Sequence, residues 1–439
     1  MRFTPWATRL VLTLSLSATA FLTACGGGGG GGSDTQVRLL NATRSYSQLD
    51  LTVNDKSINT KVGYAAVGDY GTVDTNNTAT KVLTSDVGTS VSATTPTLTS
   101  GSNYTFITYG FAGAIRTTLL QEAEVVPDAN KAKLLVLNLA PDAGALDVYV
   151  TSAADSIDTA TALSTNLQGG AGSGYIQINS GTFRVRVTGY NKRTDMRLDI
   201  PAVTLDSATV NTLILTATDG GVLVNGISLV QKGTVKSFPN SQSRVRTVAA
   251  LTNGGTVGST INGQQMFSTA ISPLISDYVT TTSGASTLSV QVGGANFPVN
   301  APTLGAGKDT TLLIWGDASA PKMSVLDDDN RLPTVTGNVK IRLVNALPTV
   351  SSSLNVDFSA IASNVGPGLV SASNSISSTT TSQVDVTVPT NASSIYTNSA
   401  LAFPANSVWT FFAVPTTTAT GTTTSPVPFM TALPKRERP

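Results

Sequence analysis

One strand–turn–strand pattern recurs along the chain and constrains its fold more than any other feature. The clearest copy spans residues 133–150, where two strand-forming runs flank a Pro141-Asp142 turn. Further copies begin at Val37 and Ile341, and a degenerate copy at Val245 lacks a clear second half. Equivalent positions lie about 100 residues apart, which is the size of one β-sandwich. These positions are Asn41, Asn138, Ala249 and Asn345.

Two other motifs keep the same register in the repeats. In each copy an apolar residue and a small turn lead into an apolar, Thr-containing strand, a pattern that predicts a hairpin. The leading residues are Leu98, Leu205, Leu304 and Phe403. Three copies also contain a strand that alternates apolar and polar residues, which places its apolar side chains on one face. These strands occupy residues 183–187, 288–292 and 384–388.

The repeats predict an all-β protein of four tandem antiparallel, immunoglobulin-like β-sandwich units. Each of the first three copies ends in a polar linker that contains proline, so the boundaries fall near residues 130, 240 and 336. The predicted units are residues 34–130, residues 131–240, the degenerate residues 241–336, and residues 337–439.

Charge composition argues against a polyanionic partner. The chain has 439 residues, a net charge of +1 and only 12% charged residues. Nucleic-acid binding needs clustered Lys and Arg to neutralise phosphates, and no such cluster is present. Ser and Thr supply the polar surface instead, and Thr favours strands because its branched Cβ fits a pleated sheet.

The amino-terminal residues are typical of a lipoprotein signal peptide. Arg2 and Arg9 precede an apolar stretch, residues 10–22, that is too short for a permanent transmembrane helix. The stretch ends in Leu-Thr-Ala followed by Cys25, the one cysteine of the chain, which resembles a bacterial lipobox. We therefore predict that residues 1–24 are removed and that Cys25 is lipidated. The alternative is ordinary secretory cleavage after Ala20, which leaves a free thiol.

Lipidation would fix the protein to a membrane. Each buried CH₂ of an acyl chain contributes about 0.8 kcal/mol, so an anchor of three chains is effectively permanent. The residue after the cysteine is Gly26 rather than Asp, which by resemblance to Gram-negative sorting rules predicts the outer membrane. Residues 25–33, the anchor and its run of glycines, are predicted to form a flexible tether.

The repeats resemble the bacterial domain of unknown function 4397. In that family each repeat reads roughly as Val-Arg, two apolar residues, His or Asn, and Ala-Ser-Pro-Asp-Ala. Val-Asp-Val-Tyr-Val and Gly-Thr-Tyr-Arg-Val-Arg-Val then follow. Residues 138–150 and 181–187 match these motifs closely, and the resemblance extends from residue 35 onward. It implies an exported β-sandwich, often in tandem and lipid-anchored, and it implies neither a reaction nor catalytic residues.

The sequence predicts no catalytic residue and no cofactor. It contains no histidine, which excludes Ser-His-Asp and Cys-His catalysis and His-ligated metals. Asp50, Asp142 and Asp147 are candidates for the paired carboxylates of glycoside cleavage. We favour a turn role for Asp142 and a solvent-facing or edge position for Asp147, because Asn355 replaces Asp147 in the fourth unit.

Three further features have two interpretations each. Asp327–Asp329 could bind Ca²⁺ but lack the spacing of a calcium loop, so a solvated linker is favoured and no metal site is predicted. Tyr70, Tyr175 and Tyr278 could be platforms for sugars, but burial with a bonded hydroxyl is favoured. The basic residues 435–438 are expected to be solvated rather than bound to anionic polysaccharide.

These observations favour a non-enzymatic cell-envelope lipoprotein that displays its sandwich units for binding or adhesion. The expected contacts are the membrane, through the lipid anchor, and an envelope protein or polysaccharide. The alternative is a structural spacer or a subunit of an envelope complex. A carbohydrate-active enzyme is the third hypothesis.

Overall fold

The opening motif of each repeat forms the first strand of a unit that contains two facing sheets. A computed structural model describes residues 34–416 and 429–437, and the predicted signal peptide, Cys25 and tether lie outside these residues. We call the sheet built on the first strand of a unit its inner sheet. The sheet built on the second strand is its outer sheet.

The first unit pairs two sheets from residues 35–121. Its inner sheet has the order β4-β1-β8-β9, with β5 also on β1, and its outer sheet has the order β3-β2-β6-β7. The strands are β1 (Thr35–Asn41), β2 (Gln48–Val53), β3 (Lys56–Gly63), β4 (Ala66–Val67), β5 (Gly71–Val73), β6 (Thr80–Thr84), β7 (Ser90–Thr94), β8 (Asn103–Tyr109) and β9 (Arg116–Gln121).

The second unit repeats this plan over residues 131–238. Its inner sheet has the order β13-β10-β16-β17-β18 and its outer sheet has the order β12-β11-β14-β15. The strands are β10 (Lys131–Leu139), β11 (Leu146–Thr151), β12 (Ser164–Leu167), β13 (Ile176–Asn179), β14 (Gly181–Gly189), β15 (Lys192–Leu205), β16 (Thr209–Ala217), β17 (Val224–Val230) and β18 (Val235–Phe238). A 3₁₀ turn at Pro141–Ala143 joins the two sheets.

The third unit, the degenerate copy in sequence, keeps both sheets over residues 242–328. The inner order is β22-β19-β28-β29 with β23 also on β19, the outer order is β21-β20-β25-β26, and β24 pairs with β27. The strands are β19 (Gln242–Leu251), β20 (Thr256–Ile261), β21 (Gln264–Ile271), β22 (Leu274–Ile275), β23 (Val279–Thr282), β24 (Gly284–Ala285), β25 (Leu288–Val292), β26 (Ala295–Asn296), β27 (Thr303–Leu304), β28 (Asp309–Asp317) and β29 (Ala320–Asp328). A 3₁₀ turn at Thr252–Gly254 follows β19.

The fourth unit contains two four-stranded sheets. Its inner order is β33-β30-β36-β37 and its outer order is β32-β31-β34-β35. The strands are β30 (Asn338–Asn345), β31 (Ser352–Val356), β32 (Ser359–Val365), β33 (Asn374–Ser377), β34 (Thr379–Thr387), β35 (Tyr396–Phe403), β36 (Ser407–Thr416) and β37 (Phe429–Arg436). The structure confirms the predicted all-β fold of tandem sandwiches.

Each unit departs from a purely antiparallel plan at one place. The first strand of the unit pairs in parallel with the strand that follows the small turn, as β1 does with β8 and β30 does with β36. The turn before that strand therefore crosses from the outer sheet to the inner sheet, for example between β35 and β36. The expectation of a hairpin at this motif was wrong, because a short turn can also join strands of two facing sheets.

The first strands are apolar on both faces. In β1, Val37 and Leu39 pack in the core of the first unit, whereas Leu40 packs in a second cluster with Leu139 and Ile214 of the second unit. In the same way, Val344 and Phe412 of the fourth unit share a cluster with Val248 and Leu313 of the third unit. Inner sheets therefore pack face to face in two pairs. We call units one and two the first pair, and units three and four the second pair.

The described residues, 34–416 and 429–437, form one compact body. The pairs touch through backbone groups, since the Gly220 N–H donates to the Gly307 carbonyl (2.8 Å). Arg331 also lies over the ring of Phe111, 4.5 Å from its centroid. In residues 34–416 and 429–437, no helix is both long and apolar enough to span a membrane.

Candidate functional site

An arginine of the first strand recurs at the interface within each pair. Arg38 donates from Nε to Thr105 (2.9 Å) and from Nη2 to Glu122 (2.9 and 3.0 Å), and its Nη1 reaches the Gly233 carbonyl of the second unit (2.8 Å). The Glu122 carboxylate also accepts the hydroxyl of Tyr70 (2.7 Å). Arg38 is 4% exposed and Glu122 1% exposed, so this ion pair is fully buried.

In the second pair the ion pairs cross from one unit to the other. Arg246 of the third unit makes a two-point contact with Glu437 of the fourth unit (2.7 and 2.9 Å). Arg342 of the fourth unit donates to Asp328 of the third unit (2.5 Å). The expectation that residues 435–438 are solvated is therefore wrong for Glu437, which is 9% exposed.

The second unit contains neither the arginine nor the carboxylate of this cluster. Strand register places Leu135 where the other units have arginine, since it pairs with Thr212 as Arg38 pairs with Thr105. The same register places Gln231 where Glu122 lies in the first unit. A buried charge without a partner is strongly destabilising, which explains why the two positions change as a set.

Each residue of the acidic run Asp327–Asp329 is paired with a basic side chain, and the expectation of a solvated run is wrong for Asp328, which is buried, and is met by Asp327, which is exposed. Burial alone raises the pKa of Asp328, but Arg342 and Arg246 outweigh it and hold that pKa below its usual range. For Asp329 burial is likewise opposed, by the hydrogen bond from Arg331 and the charge of Lys340, and its pKa falls to about 2. Among the described residues, no group of three or more His, Cys, Asp or Glu side chains is placed to hold a metal.

The predicted tyrosines lie at these clusters. Tyr278 donates to Asp328 (2.6 Å), as Tyr70 does to Glu122, and desolvation of its hydroxyl raises its pKa well above the ordinary value. Arg38 and Arg246 lie over the rings of Tyr70 and Tyr278, at 4.3 and 4.6 Å from the centroids. Burial also raises the pKa of Tyr175, the equivalent residue in the second unit.

Each of the three candidate carboxylates, Asp50, Asp142 and Asp147, accepts at least one backbone N–H group. Asp50 and Asp147 each accept the backbone N–H of a bulged residue on the neighbouring strand, Lys61 (2.7 Å) and Asn166 (2.9 Å). Asp147 also accepts from the N–H of Asn191 (2.9 Å) and is 3% exposed, so the solvent-facing expectation was wrong.

Two details of the sequence interpretation need correction. Asp142 is buried and accepts the N–H of Leu332 (2.6 Å), in the linker before the fourth unit, rather than the backbone of its own turn. The fourth-unit equivalent of Asp147 is Ser353, which accepts the bulged N–H of Asn364 (2.9 Å), and not Asn355. Sequence alignment missed this two-residue shift because both registers place polar residues between apolar ones.

The repeated asparagine has a structural role. Asn41, Asn138 and Asn345 are fully buried, and each donates to a carbonyl of the third strand of the unit, in the outer sheet. The acceptors are Val62 (3.1 Å), Leu167 (2.9 Å) and Val365 (2.7 Å). The motif that defines the repeat therefore fastens its two sheets together.

The second unit alone has a long connection between the second and third strands of a unit. Residues 152–163 join β11 to β12, whereas two-residue turns join the equivalent strands in the other units. Two arginines hold this loop by its carbonyls: Arg186 donates to Asp155 (2.8 Å) and Arg193 donates to Ile157. Arg186 is 5% exposed, so the loop is fixed by a buried cation.

The loop covers one side of an open cleft of about 560 Å³. The floor and far wall include Asp147, Tyr149, Asn191 and Arg193, and the guanidinium of Arg193 lies 5.4 Å from the centroid of Tyr149. The loop supplies the hydroxyls of Thr159 and Thr161, and β12 supplies that of Thr165. Within the described part of the chain these three hydroxyls have no hydrogen-bond partner. The cleft thus offers free donors and acceptors without a free carboxylate.

An exposed tyrosine is the chain neighbour of one of the cleft residues. Tyr190 is 43% exposed and precedes Asn191 in the turn between β14 and β15. Sequence reasoning singled out three other tyrosines and missed Tyr190, the loop and Arg193. The one available signal was the spacing between repeat equivalents, which is longest across the second unit.

The family assignment follows from two matches to the model of the domain of unknown function (DUF4397), at residues 35–149 and 243–357. The chain belongs to this family. Each DUF4397 match begins in the first strand of a pair and ends in or just after the second strand of the second unit of that pair. The first match ends at residue 149, so the cleft loop, residues 152–163, lies outside both matched ranges.

Comparison with solved structures found only slight overlap with this DUF4397 protein. A candidate cell adhesion protein from Bacteroides uniformis is 9% identical, with 45% of this chain and 97% of that chain covered and a TM-score of 0.21. A family 26 carbohydrate-binding module from Eubacterium rectale, in complex with maltoheptaose, is 13% identical, with 46% and 97% covered and a TM-score of 0.17.

A candidate adhesion protein from Bacteroides ovatus is 11% identical, with 46% and 96% covered and a TM-score of 0.20. These overlaps are too slight to bear on function. No curated protein sequence matches the DUF4397 chain.

Proposed function

We propose that this DUF4397 protein is a non-enzymatic, lipid-anchored protein of the cell envelope that binds a hydroxyl-rich ligand, such as an envelope polysaccharide. The observation that carries the proposal is the cleft of the second unit, built by a loop that the other three units lack. Cys25 would provide the anchor, and the outer membrane is the proposed location.

The chemistry of the cleft supports sugar binding. Neutral hydroxyls and an amide can exchange hydrogen bonds with sugar hydroxyls at little desolvation cost, because their water contacts are replaced one for one. Tyr190, which precedes the cleft residue Asn191 in the chain, has an exposed ring of the kind that packs against the apolar face of a sugar. The loop is tied down by Arg186 and Arg193, so little conformational entropy is lost when a ligand binds.

The same cleft argues against hydrolysis. General acid–base catalysis of glycoside cleavage needs two available carboxyl groups on either side of the bond. Asp147 is the carboxylate of the cleft, and both its oxygens already accept backbone N–H groups. The ligand is therefore expected to bind without being cleaved.

The test replaces residues 152–163 with Asn-Gly, the turn that Asn262-Gly263 forms in the third unit. Isothermal titration with purified envelope polysaccharides should show binding by the parent protein and none by the shortened variant. As a matched control, Asp55→Gly makes the same turn in the first unit and should leave binding unchanged. Equal binding by parent and shortened variant would refute the cleft as the site.

The anchor is tested separately. Palmitate labelling of cells should mark the parent protein and leave a Cys25→Ser variant unlabelled, and the variant should leave the membrane fraction. A mature protein that begins at Phe21 would contradict lipidation.

A structural spacer is the second candidate, because face-to-face packing fixes the geometry within each pair. Deleting the second pair as a whole preserves the interface of the first pair. A spacer should lose function in proportion to the lost length, whereas a binder should keep its affinity for polysaccharide.

A further inference from the structure

The cleft of the second unit contains a cation without an acidic partner. Arg193 donates from Nη1 to the Ile157 carbonyl, and its guanidinium lies over the ring of Tyr149. Within residues 34–416 and 429–437, Arg193 forms no salt bridge, and its Nε and Nη2 donate no hydrogen bond. Asp147 is the carboxylate that lines the cleft, but both its oxygens accept backbone N–H groups. The cleft therefore presents a positive charge that the protein itself does not neutralise.

The floor of the cleft supplies an unbonded hydroxyl. Tyr149 lines the cleft and is only 3% exposed. Its hydroxyl has no hydrogen-bond partner in the described part of the chain, yet the oxygen is accessible to solvent. A buried side chain that keeps its polar end unbonded at a cleft is typical of a site that a ligand completes. Beside Arg193, this hydroxyl can donate to the same acceptor on a ligand.

A second cation lies behind this floor. Arg186 is 5% exposed and stands directly opposite Tyr149 in the pairing of β14 with β11. Its Nη2 donates to the Thr151 hydroxyl and to the Asp155 carbonyl, both at 2.8 Å, and its Nε is buried without a partner. Among the described residues no carboxylate forms an ion pair with it. The positive charge of Arg186 therefore adds to that of Arg193 at the cleft.

Other charged groups near the cleft are paired or face solvent. On β14 and β15, Arg184 pairs with Asp199 and Arg197 pairs with Asp195. Two acidic residues of the loop, Asp155 and Asp158, are exposed, accept hydrogen bonds from serines of the loop, and do not line the cleft. Arg193 is therefore the charged group that a ligand in the cleft would contact with donors to spare.

A neutral sugar would bind here at a cost. It would remove water from the Arg193 guanidinium without replacing the lost interactions of the charge. An anionic group would replace them, because the planar guanidinium forms two parallel hydrogen bonds with a carboxylate or a phosphate. The low charge content of the chain does not oppose such a ligand, since one arginine needs only one anionic group.

We infer that the cleft selects an acidic sugar, with the carboxylate or phosphate of the sugar bound by Arg193 and the Tyr149 hydroxyl. This inference rests on the sugar binding proposed above and adds the chemical class of the ligand. The threonine hydroxyls and Asn191 would contact the neutral hydroxyls of the same sugar.

The test titrates the parent protein with purified envelope polysaccharides in three forms: untreated, carboxyl-reduced to primary alcohols, and freed of phosphate with cold hydrogen fluoride. The untreated form should bind roughly tenfold more tightly than the form that has lost its anionic group, because hydrogen bonds to a charged group are the stronger ones. The treatment that lowers the affinity identifies carboxylate or phosphate as the group. Equal affinity for all three forms would overturn the inference and leave sugar binding intact, whereas no binding of any form would refute both.

Two variants separate a contact with the ligand from a structural role. Arg193→Gln removes the charge and should make the untreated and treated forms bind with equal affinity. If Arg193→Gln instead weakened both forms by the same factor, Arg193 would serve only to hold the loop and the inference would fail. Lys192→Gln removes the same charge from an exposed neighbour that does not line the cleft, and it should leave the tenfold difference unchanged.

Discussion

The two pairs of units bury their interfaces in different ways. In the second pair, Arg246 bonds with Glu437 and Arg342 bonds with Asp328, so each unit supplies one arginine and one carboxylate to the other. In the first pair, the charges of the equivalent buried cluster come from the first unit alone, as Arg38 and Glu122, and the second unit supplies neutral backbone groups to it. The apolar part of the interface is present in both pairs.

This difference shows that the buried charges are not what brings two inner sheets together. A buried ion pair gains little net stability over apolar groups of similar volume, but a single buried charge is costly. The interface is therefore expected to be stable either with both charges of an ion pair or with neither of them. We expect substitutions that leave one buried charge without its partner to lower the free energy of unfolding the most.

Arg246→Leu should have the largest effect, because it leaves Glu437 buried without its two-point partner. The free energy of unfolding should fall by about 3–5 kcal/mol. Urea titration followed by tryptophan fluorescence reports on the second pair, since Trp315 and Trp409 are the tryptophans of residues 34–439. The double variant Arg246→Leu/Glu437→Gln copies Leu135 and Gln231 and should lie within about 1 kcal/mol of the parent. A double variant as unstable as the single one would contradict the proposed balance.

Glu122→Gln is the corresponding change in the first pair. It leaves Arg38 without a counter-charge but keeps an oxygen that can accept hydrogen bonds, so we expect a loss of about 2–3 kcal/mol. Hydrogen exchange of β8 and β17 measures it, because the first pair contains no tryptophan. Gln121→Asn, at the exposed last residue of β9 and next to Glu122 in the chain, is the control and should change exchange little. Equal protection of both strands in Glu122→Gln and the parent would contradict the expectation.

Tyr278→Phe removes a hydroxyl that donates to Asp328, and should cost about 1.5 kcal/mol because the acceptor is charged. Tyr175→Phe removes a hydroxyl whose neighbour is the neutral Thr212, so its cost should be smaller. The same denaturation and exchange experiments compare the two variants. A larger loss in Tyr175→Phe would show that the charge at Asp328 is unimportant for this bond.

We expect a fall in pH to destabilise the second pair less than any of these substitutions does. Asp328 and Asp329 have lowered pKa values, so their stabilising contribution is complete above the ordinary carboxyl pKa near 3.8. That contribution is lost as the pH falls through the folded-state value, which is about 2 for Asp329. Tryptophan fluorescence during titration from pH 5 to about 2 measures it. Asp329→Asn should flatten the dependence, whereas Asp327→Asn, at an exposed residue, should not.

The repeated strands, the all-β fold and the family resemblance were all predictable from the sequence, because alternation and spacing determine strands and domains locally. The pairing of units was not predicted, although it left a signal in the first strands. Leu40 and Leu137 are apolar at positions that face away from the core of their own unit. Such two-sided apolar strands indicate a sheet that is covered on both faces.

The candidate site was harder to predict, because it depends on a difference between repeats rather than on the motif they share. Residues 152–163 contain no known signature, and the hydroxyls of Thr159 and Thr161 are ordinary surface groups in sequence. Only the fold shows that Arg186 and Arg193 fix this segment over a sheet. The roles of Asp142 and Glu437 could not be predicted for a related reason, since their partners lie 190 and 191 residues away along the chain.

The parallel pairing of the first strand with a strand near the end of its unit affects how the chain folds during synthesis. Arg38 can form its hydrogen bond only after Thr105, 67 residues later, has been synthesised. Arg246 can form its ion pair only after Glu437, 191 residues later, has been synthesised. Because synthesis proceeds from the amino terminus, the sheets stay incomplete and their apolar faces stay exposed until the later strands have been made. High contact order makes such assembly slow, and holding chaperones are expected to accompany this protein until its last strands arrive.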